Sequence, residues 1–166
     1  MTLQQILFLI FSAITLIAAL MVVTRRNLCH AALFMVLSFF GVAGLYVLLE
    51  APFLAGVQVF IYVGGISTLI IFAIVLTRDV VDPTLPPHNR QWIAGALVMA
   101  LLCSVLIWTV LGYQWTTTTP GQVPADSIAR LGTILVDPEG FLLPFEVTSV
   151  LLFAVLIGAI TIARER

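Results

Sequence analysis

The chain has 166 residues, of which 61% are hydrophobic and only 9% charged, with a formal net charge of −1. A soluble domain carries charge on about a quarter of its residues, so the water-soluble classes are excluded, and so is any nucleic-acid binder that needs a basic surface. A hydrocarbon core about 30 Å thick takes roughly 20 apolar residues per helix, and five such helices fit in this length.

Apolar runs occupy residues 6–23, 31–49, 54–76, 92–111 and 145–163. They predict an all-α membrane protein with five transmembrane helices, forming a single integral membrane domain over residues 1–166. Fifteen residues carry formal charge, and only Glu146 falls inside a run. That segregation follows from the cost of a charge at the bilayer centre, about 2.5–3.5 kcal/mol on insertion scales. Outer-membrane strands would alternate apolar and polar residues, and 69–76 (LIIFAIVL) does not alternate.

Arg alone sets the topology, since the chain has no Lys. Arg25 and Arg26 follow the first run, Arg78 and Arg90 the third, and Arg164 and Arg166 the fifth, whereas the opposite side has only Arg130. The positive-inside rule then predicts an N-terminus outside, in the periplasm, and a cytoplasmic C-terminus. No basic segment precedes Ile6, so the first run is expected to be a mature helix and not a cleaved signal.

The connections differ in kind. The short 50–53 segment predicts a tight turn that makes the second and third helices antiparallel neighbours. Residues 77–91, with Pro83, Pro86 and Pro87, predict an exposed loop. The connection 112–144 is the longest extracytoplasmic piece. Its Thr116–Thr119 tract and Pro120-Gly121 predict irregular chain, and Ile128, Leu131 and Leu135 predict a short amphipathic helix after Asp126-Ser127.

No catalytic or metal-binding set stands out. Cys29 and Cys103 are far apart and lack partners at ligand spacing, His30 sits at a membrane boundary, and His88 lies in the Pro-rich loop. Glu146 has two readings. If the fifth helix begins at Pro144, its carboxylate falls in the first turn, where free N–H groups and the helix dipole favour it. The other reading is a protonation or hydrogen-bond network at a subunit interface.

The third run is the informative one. At α-helical spacing Gln58, Tyr62, Gly65 and Leu69 form one stripe, which sets an amide and a phenol above bare backbone at Gly64-Gly65. Close helix contact would account for it, with hydrogen bonds worth about 0.6–2 kcal/mol. The sharper expectation is that the glycine pair eases unusual torsions and permits a π-bulge, a feature that concentrates at functional sites and could act as a two-state switch.

Residues 53–66 (FLAGVQVFIYVGGI) resemble the third-helix signature of subunit J of bacterial complex I, the NADH:quinone oxidoreductase family in which mitochondrial subunit 6 is the equivalent. Residues 142–152 (LLPFEVTSVLL), continuing to Gly158-Ala159-Ile160, resemble its fifth-helix signature, and 27–33 (NLCHAAL) is similar to the head of its second helix. The resemblance implies a non-catalytic membrane-arm subunit in the bacterial plasma (inner) membrane, helping to couple quinone reduction to proton transport. It implies no cofactor on this chain; FMN, iron–sulfur clusters and quinone belong to other subunits of the complex. The implied partners are small subunit K, subunits A, H and N, antiporter-like subunits and lipid. Mapped here, Tyr62, Gly64 and Gly65 would form a π-bulge that relaxes to α and gates a water path. Two positions depart from the pattern: Gly65 is commonly Ala, and Gln58 is Glu in some members, so no titratable role is expected at Gln58. The alternatives are the equivalent subunit of a ferredoxin-linked photosynthetic relative, a subunit of a related cation antiporter or hydrogenase complex, and a small autonomous transporter. The last is disfavoured by the lack of intramembrane charge apart from Glu146.

Overall fold

The structure is a computed structural model that describes residues 2–77, 91–114, 124 and 126–164. The Pro-rich loop with Arg78, His88 and Arg90, the threonine tract 116–119 with Pro120-Gly121, and Arg166 lie outside the described residues. Five helices are long and apolar enough to cross a membrane: Leu3–Thr24, Leu28–Leu48, Pro52–Leu76, Ile93–Gly112 and Leu142–Ala163. The chain divides into two compact units, Met1–Thr118 and Thr119–Arg166, and each is described by itself.

In the first unit, α1 (Leu3–Thr24) and α2 (Leu28–Leu48) form a closely packed pair. Both start three residues before their apolar runs because polar caps precede those runs. Thr2 and Gln5 form a reciprocal capping box on α1, and the Asn27 side-chain oxygen accepts from the Cys29 and His30 amides at 2.9 and 3.4 Å. These bonds satisfy N–H groups that a helix start otherwise leaves without partners. The two helices meet along small residues: Ala18, Ala31, Ala32 and Ala43 are buried. Gly41 and Gly44 are bare because a Cβ there would overlap the Thr15 hydroxyl and the Phe11 ring, respectively. Two polar ties add to this contact, from the Ser38 hydroxyl to the Thr15 carbonyl and from the Gln4 amide to the Leu48 carbonyl, both at 3.3 Å.

The predicted turn after α2 is tight, and its geometry is specific. The Ala51 amide donates to the Tyr46 carbonyl and the Glu50 amide to the Val47 carbonyl, at 3.0 and 3.1 Å, the paired bonds of a Schellman ending. Glu50 takes the left-handed position, φ 57°, where glycine is usual. Pro52 then opens α3 (Pro52–Leu76) at its first position, where its missing N–H costs nothing. The middle of α3, Gln58–Ile66, is wound as a π-helix, with α geometry before and after it. All of α3 packs on α2. Helix α4 (Trp92–Gly112) is exposed along its described side chains.

In the second unit, α5 (Ser127–Val136) is the expected short amphipathic helix and α6 (Leu142–Ala163) the fifth span. The Phe141 amide donates back to the Ile134 carbonyl at 3.0 Å and the Glu139 amide to the Asp137 side chain at 3.1 Å. Helix α6 begins at Leu142, two residues before the expected start. The Phe141 carbonyl already accepts from the Phe145 amide at 3.0 Å, so Pro144 is the third helical residue, still among those whose N–H would find no helical acceptor.

Candidate functional site

The π segment in the middle of α3 brings together most of the residues singled out from the sequence. Its two ends carry the buried polar side chains of the helix, Gln58 at 7% exposure and Ser67 at 1%. The Gln58 side-chain amide donates to the Phe39 carbonyl of α2 at 3.4 Å. One turn on, the Tyr62 ring meets the Phe39 ring edge-on, with centroids 5.5 Å apart and planes at 74°. Phe39 therefore receives α3 twice, through its carbonyl and through its ring.

At the other end, the Ser67 amide is shared between the Tyr62 carbonyl, five residues back, and the Gly64 carbonyl, three back. This donor straddles the four-back partner that α winding would give it, so Ser67 marks where the hydrogen-bond register changes. The Ser67 hydroxyl also donates to the Tyr62 carbonyl, at 2.7 Å. The neighbouring Thr68 hydroxyl donates to the Gly64 carbonyl. With these bonds no buried side-chain nitrogen or oxygen among the described residues lacks a partner, which a helix interior in a membrane requires.

One expectation is corrected here. Gln58, Tyr62, Gly65 and Leu69 do not share a buried face: Gln58 is buried, Tyr62 is 42% exposed, Leu69 is 71% exposed and Gly65 is exposed. The reason is the winding. At i→i+5 bonding the helix makes a turn in about 4.4 residues, so positions seven and eleven residues beyond Gln58 swing to the far side, while Ser67, nine residues on, returns beneath it. The departure from α geometry expected at the glycine pair is present as the π winding of Gln58–Ile66, and it needs no left-handed torsion, since no described glycine has a positive φ. Ser67 was missed because serine is unremarkable in an apolar helix and has no α-face relation to Gln58. The available signal was the nine-residue separation of the two, close to two π turns.

Glu146 is also placed differently. It is the fifth residue of α6, beyond the first turn, which contains no acidic residue. The dipole effect fades within that turn, so the capping reading fails. Glu146 is exposed within this chain. Near it the Thr148 and Ser149 hydroxyls both donate to the Phe145 carbonyl, at 2.7 and 3.1 Å.

Among the described residues no three His, Cys, Asp or Glu side chains gather as a metal site, and Cys29 and Cys103 are free and exposed.

Comparison with known proteins places this arrangement. Residues 18–162 match the family of NADH-ubiquinone/plastoquinone oxidoreductase chain 6. Subunit J of the F(420)H(2) dehydrogenase of Methanosarcina mazei is 36% identical over 98% of this chain and 92% of its own length. Chain 6 of the NAD(P)H-quinone oxidoreductase of Leptolyngbya boryana is 39% identical over 98% of this chain and 80% of its own. The chloroplast subunit 6 of Mesostigma viride is 36% identical over 98% and 85%. Full-length similarity of this kind, on a chain with five helices long and apolar enough to cross a membrane, shows that the protein is a multi-pass membrane subunit belonging to the oxidoreductase chain 6 (subunit J) family.

Proposed function

We infer that this chain is a non-catalytic subunit in the membrane arm of a proton-translocating NADH:quinone oxidoreductase, where it helps couple quinone reduction to proton transport. The observation that carries this reading is the π winding of Gln58–Ile66 within an otherwise α-helical span. A helix with a second local winding within reach is a bistable element, and conversion to α would rotate one half of α3 against the other, making or breaking a hydrogen-bonded path beside it. Tyr62, Gly64 and Gly65 lie in the segment that changes, and Gln58 holds it to α2.

Relatives that are named for different electron donors, F(420)H(2) and NAD(P)H, are similarly close to this chain. That supports a role remote from the donor site, with FMN, iron–sulfur clusters and quinone carried by other subunits. The neighbours are small subunit K, subunits A, H and N and the antiporter-like subunits, in a bacterial plasma membrane with the N-terminus periplasmic and the C-terminus cytoplasmic, a topology that the arginine distribution supports.

The test is Gly65→Val in the assembled complex, reconstituted in vesicles, with quinone reduction and proton uptake measured together. The reading expects retained quinone reduction with proton transport lowered severalfold; unaltered transport at full assembly counts against it.

A further inference from the structure

An apolar groove of about 340 Å³ runs along the joint of α1 and α2, and its lining includes Ile10, Ala13, Ile14 and Ala18 of α1 with Phe34 and Leu37 of α2. Small side chains set beside large ones give it depth. Ala18 is fully buried at the joint, whereas Leu37 is 44% exposed and Ala13 is exposed. No polar side chain lines the groove.

One end of this groove carries charge. The Arg25 guanidinium lies over the Phe34 ring, 5.5 Å from its centroid, so Phe34 is both a wall of the groove and the platform of a cation. A guanidinium is weakly hydrated and stacks on aromatic faces, which lets it stand at the edge of hydrocarbon. Arg26 follows and is exposed. Among the described residues neither arginine has a carboxylate partner. At 1.5 Å per residue, Ala18 lies about 10 Å and Ile10 about 22 Å along α1 from Arg25. One leaflet contributes about 15 Å of a hydrocarbon core about 30 Å thick, so the groove sits at the depth of lipid tails, with the cation at its headgroup end.

We propose that the groove holds one acyl chain of an anionic phospholipid whose phosphate is bound by Arg25 and Arg26. The charge selects the head: two guanidiniums without a carboxylate beside them match the oxygens of a phosphate. The section selects the tail. A volume of about 340 Å³ spread over the roughly 12 Å from Ile10 to Ala18 gives about 28 Å², where a helix 10 Å across presents about 80 Å². A single hydrocarbon chain enters such a groove, and a helix only lies on its rim. Phe34 joins the two parts, so the occupant carries an anionic head and an apolar tail in one molecule. The bound chain fills the α1–α2 joint at a depth that this protein's own side chains leave open. The proposal is independent of the winding of α3.

The test uses the assembled complex in phosphatidylcholine nanodiscs doped with a probe lipid, either phosphatidylglycerol with a diazirine on one acyl chain or phosphatidylcholine with the same tail. After irradiation the labelled residues are mapped by mass spectrometry. Each arginine near a membrane surface favours an anionic lipid by about fivefold, so the phosphatidylglycerol probe is expected to label the Ile10–Ala18 face and Leu37 at least about fivefold more than the phosphatidylcholine probe. Arg25→Gln with Arg26→Gln is expected to abolish that preference. Ala13→Phe fills the groove, keeps both arginines and is expected to lower labelling of Leu37 by the anionic probe about fivefold or more. Equal labelling by the two probes makes the groove a surface bathed by bulk lipid and overturns the proposal. Absence of label from either probe shows that a partner subunit's helix covers the groove, and it also overturns the proposal, as does a preference that survives the arginine substitutions or Ala13→Phe. Where a variant fails to assemble, the two-probe comparison on the native complex decides.

Discussion

The Phe39 carbonyl on α2 accepts the side-chain amide of Gln58 at 3.4 Å, so a carbonyl within one helix also holds a second helix. Polar ties of this kind average about 0.6 kcal/mol in membrane helices and reach about 2. Gln58→Leu keeps the volume and loses the tie. It is expected to lower the stability of the α2–α3 contact by about 1 kcal/mol, and Gln58→Ala by more, because a cavity is added. The measurement is the temperature at which the solubilised complex loses this subunit; equal values for native and Gln58→Leu would show that the tie contributes nothing.

Gly41 is bare because the Thr15 side chain occupies the space of its Cβ. Gly41→Val is expected to force α1 and α2 apart at a cost of about 1–3 kcal/mol, read as reduced incorporation of the subunit. Gly56, with nothing within 4 Å of its Cβ position, is the control: Gly56→Ala should incorporate normally if this chain's own packing governs the outcome.

Asn27 caps α2 through the Cys29 and His30 amides. Asn27→Ala is expected to cost about 1 kcal/mol, and Asn27→Ser or Asn27→Asp to recover most of it. Thermal release of the subunit orders the four proteins; a series in which serine is no better than alanine would contradict the capping role.

Glu50 holds a left-handed backbone, φ 57°, that costs a non-glycine residue about 1–2 kcal/mol. Glu50→Gly should therefore stabilise the turn by about 0.5–1 kcal/mol after its own entropy cost, whereas Glu50→Val should weaken it. A destabilising glycine would mean that the carboxylate itself is used.

Glu146 is exposed beyond the first turn of α6, where a charge toward hydrocarbon is costly, so a polar surface of another subunit is expected to face it. Glu146→Gln keeps hydrogen-bonding capacity and removes the charge. It is expected to lower coupled proton transport severalfold at retained quinone reduction, and unchanged transport with unchanged assembly would retire the network role.

The five spans could be read from charge alone, because the bilayer's penalty separates loops from helices more sharply than any propensity. The helix starts at Leu3 and Leu28 could not be read from hydropathy, since Thr2 and Asn27 are polar and the apolar runs begin later. The Schellman ending was hidden because Glu50 occupies the position where glycine would have announced it. Within α3 the glycine pair directed attention to the right helix, which is π-wound there. Counting at 3.6 residues per turn then grouped Gln58 with Gly65 and Leu69, a face the observed winding does not present. Hydrogen-bond register is set by where Gln58 and Ser67 find partners, and a periodicity that assumes the register cannot report it.

The exposure of α4, and of α6 apart from Leu142 and Gly158, has a consequence for how the protein is made. A helix with so few neighbours of its own receives little help from this chain in resisting sliding or expulsion, and its native position is defined only once other proteins or lipids lie against it. Stability is then a property of the shared assembly, linked by mass action to the supply of partners. Copies produced in excess of those partners should be the ones the cell's proteases remove.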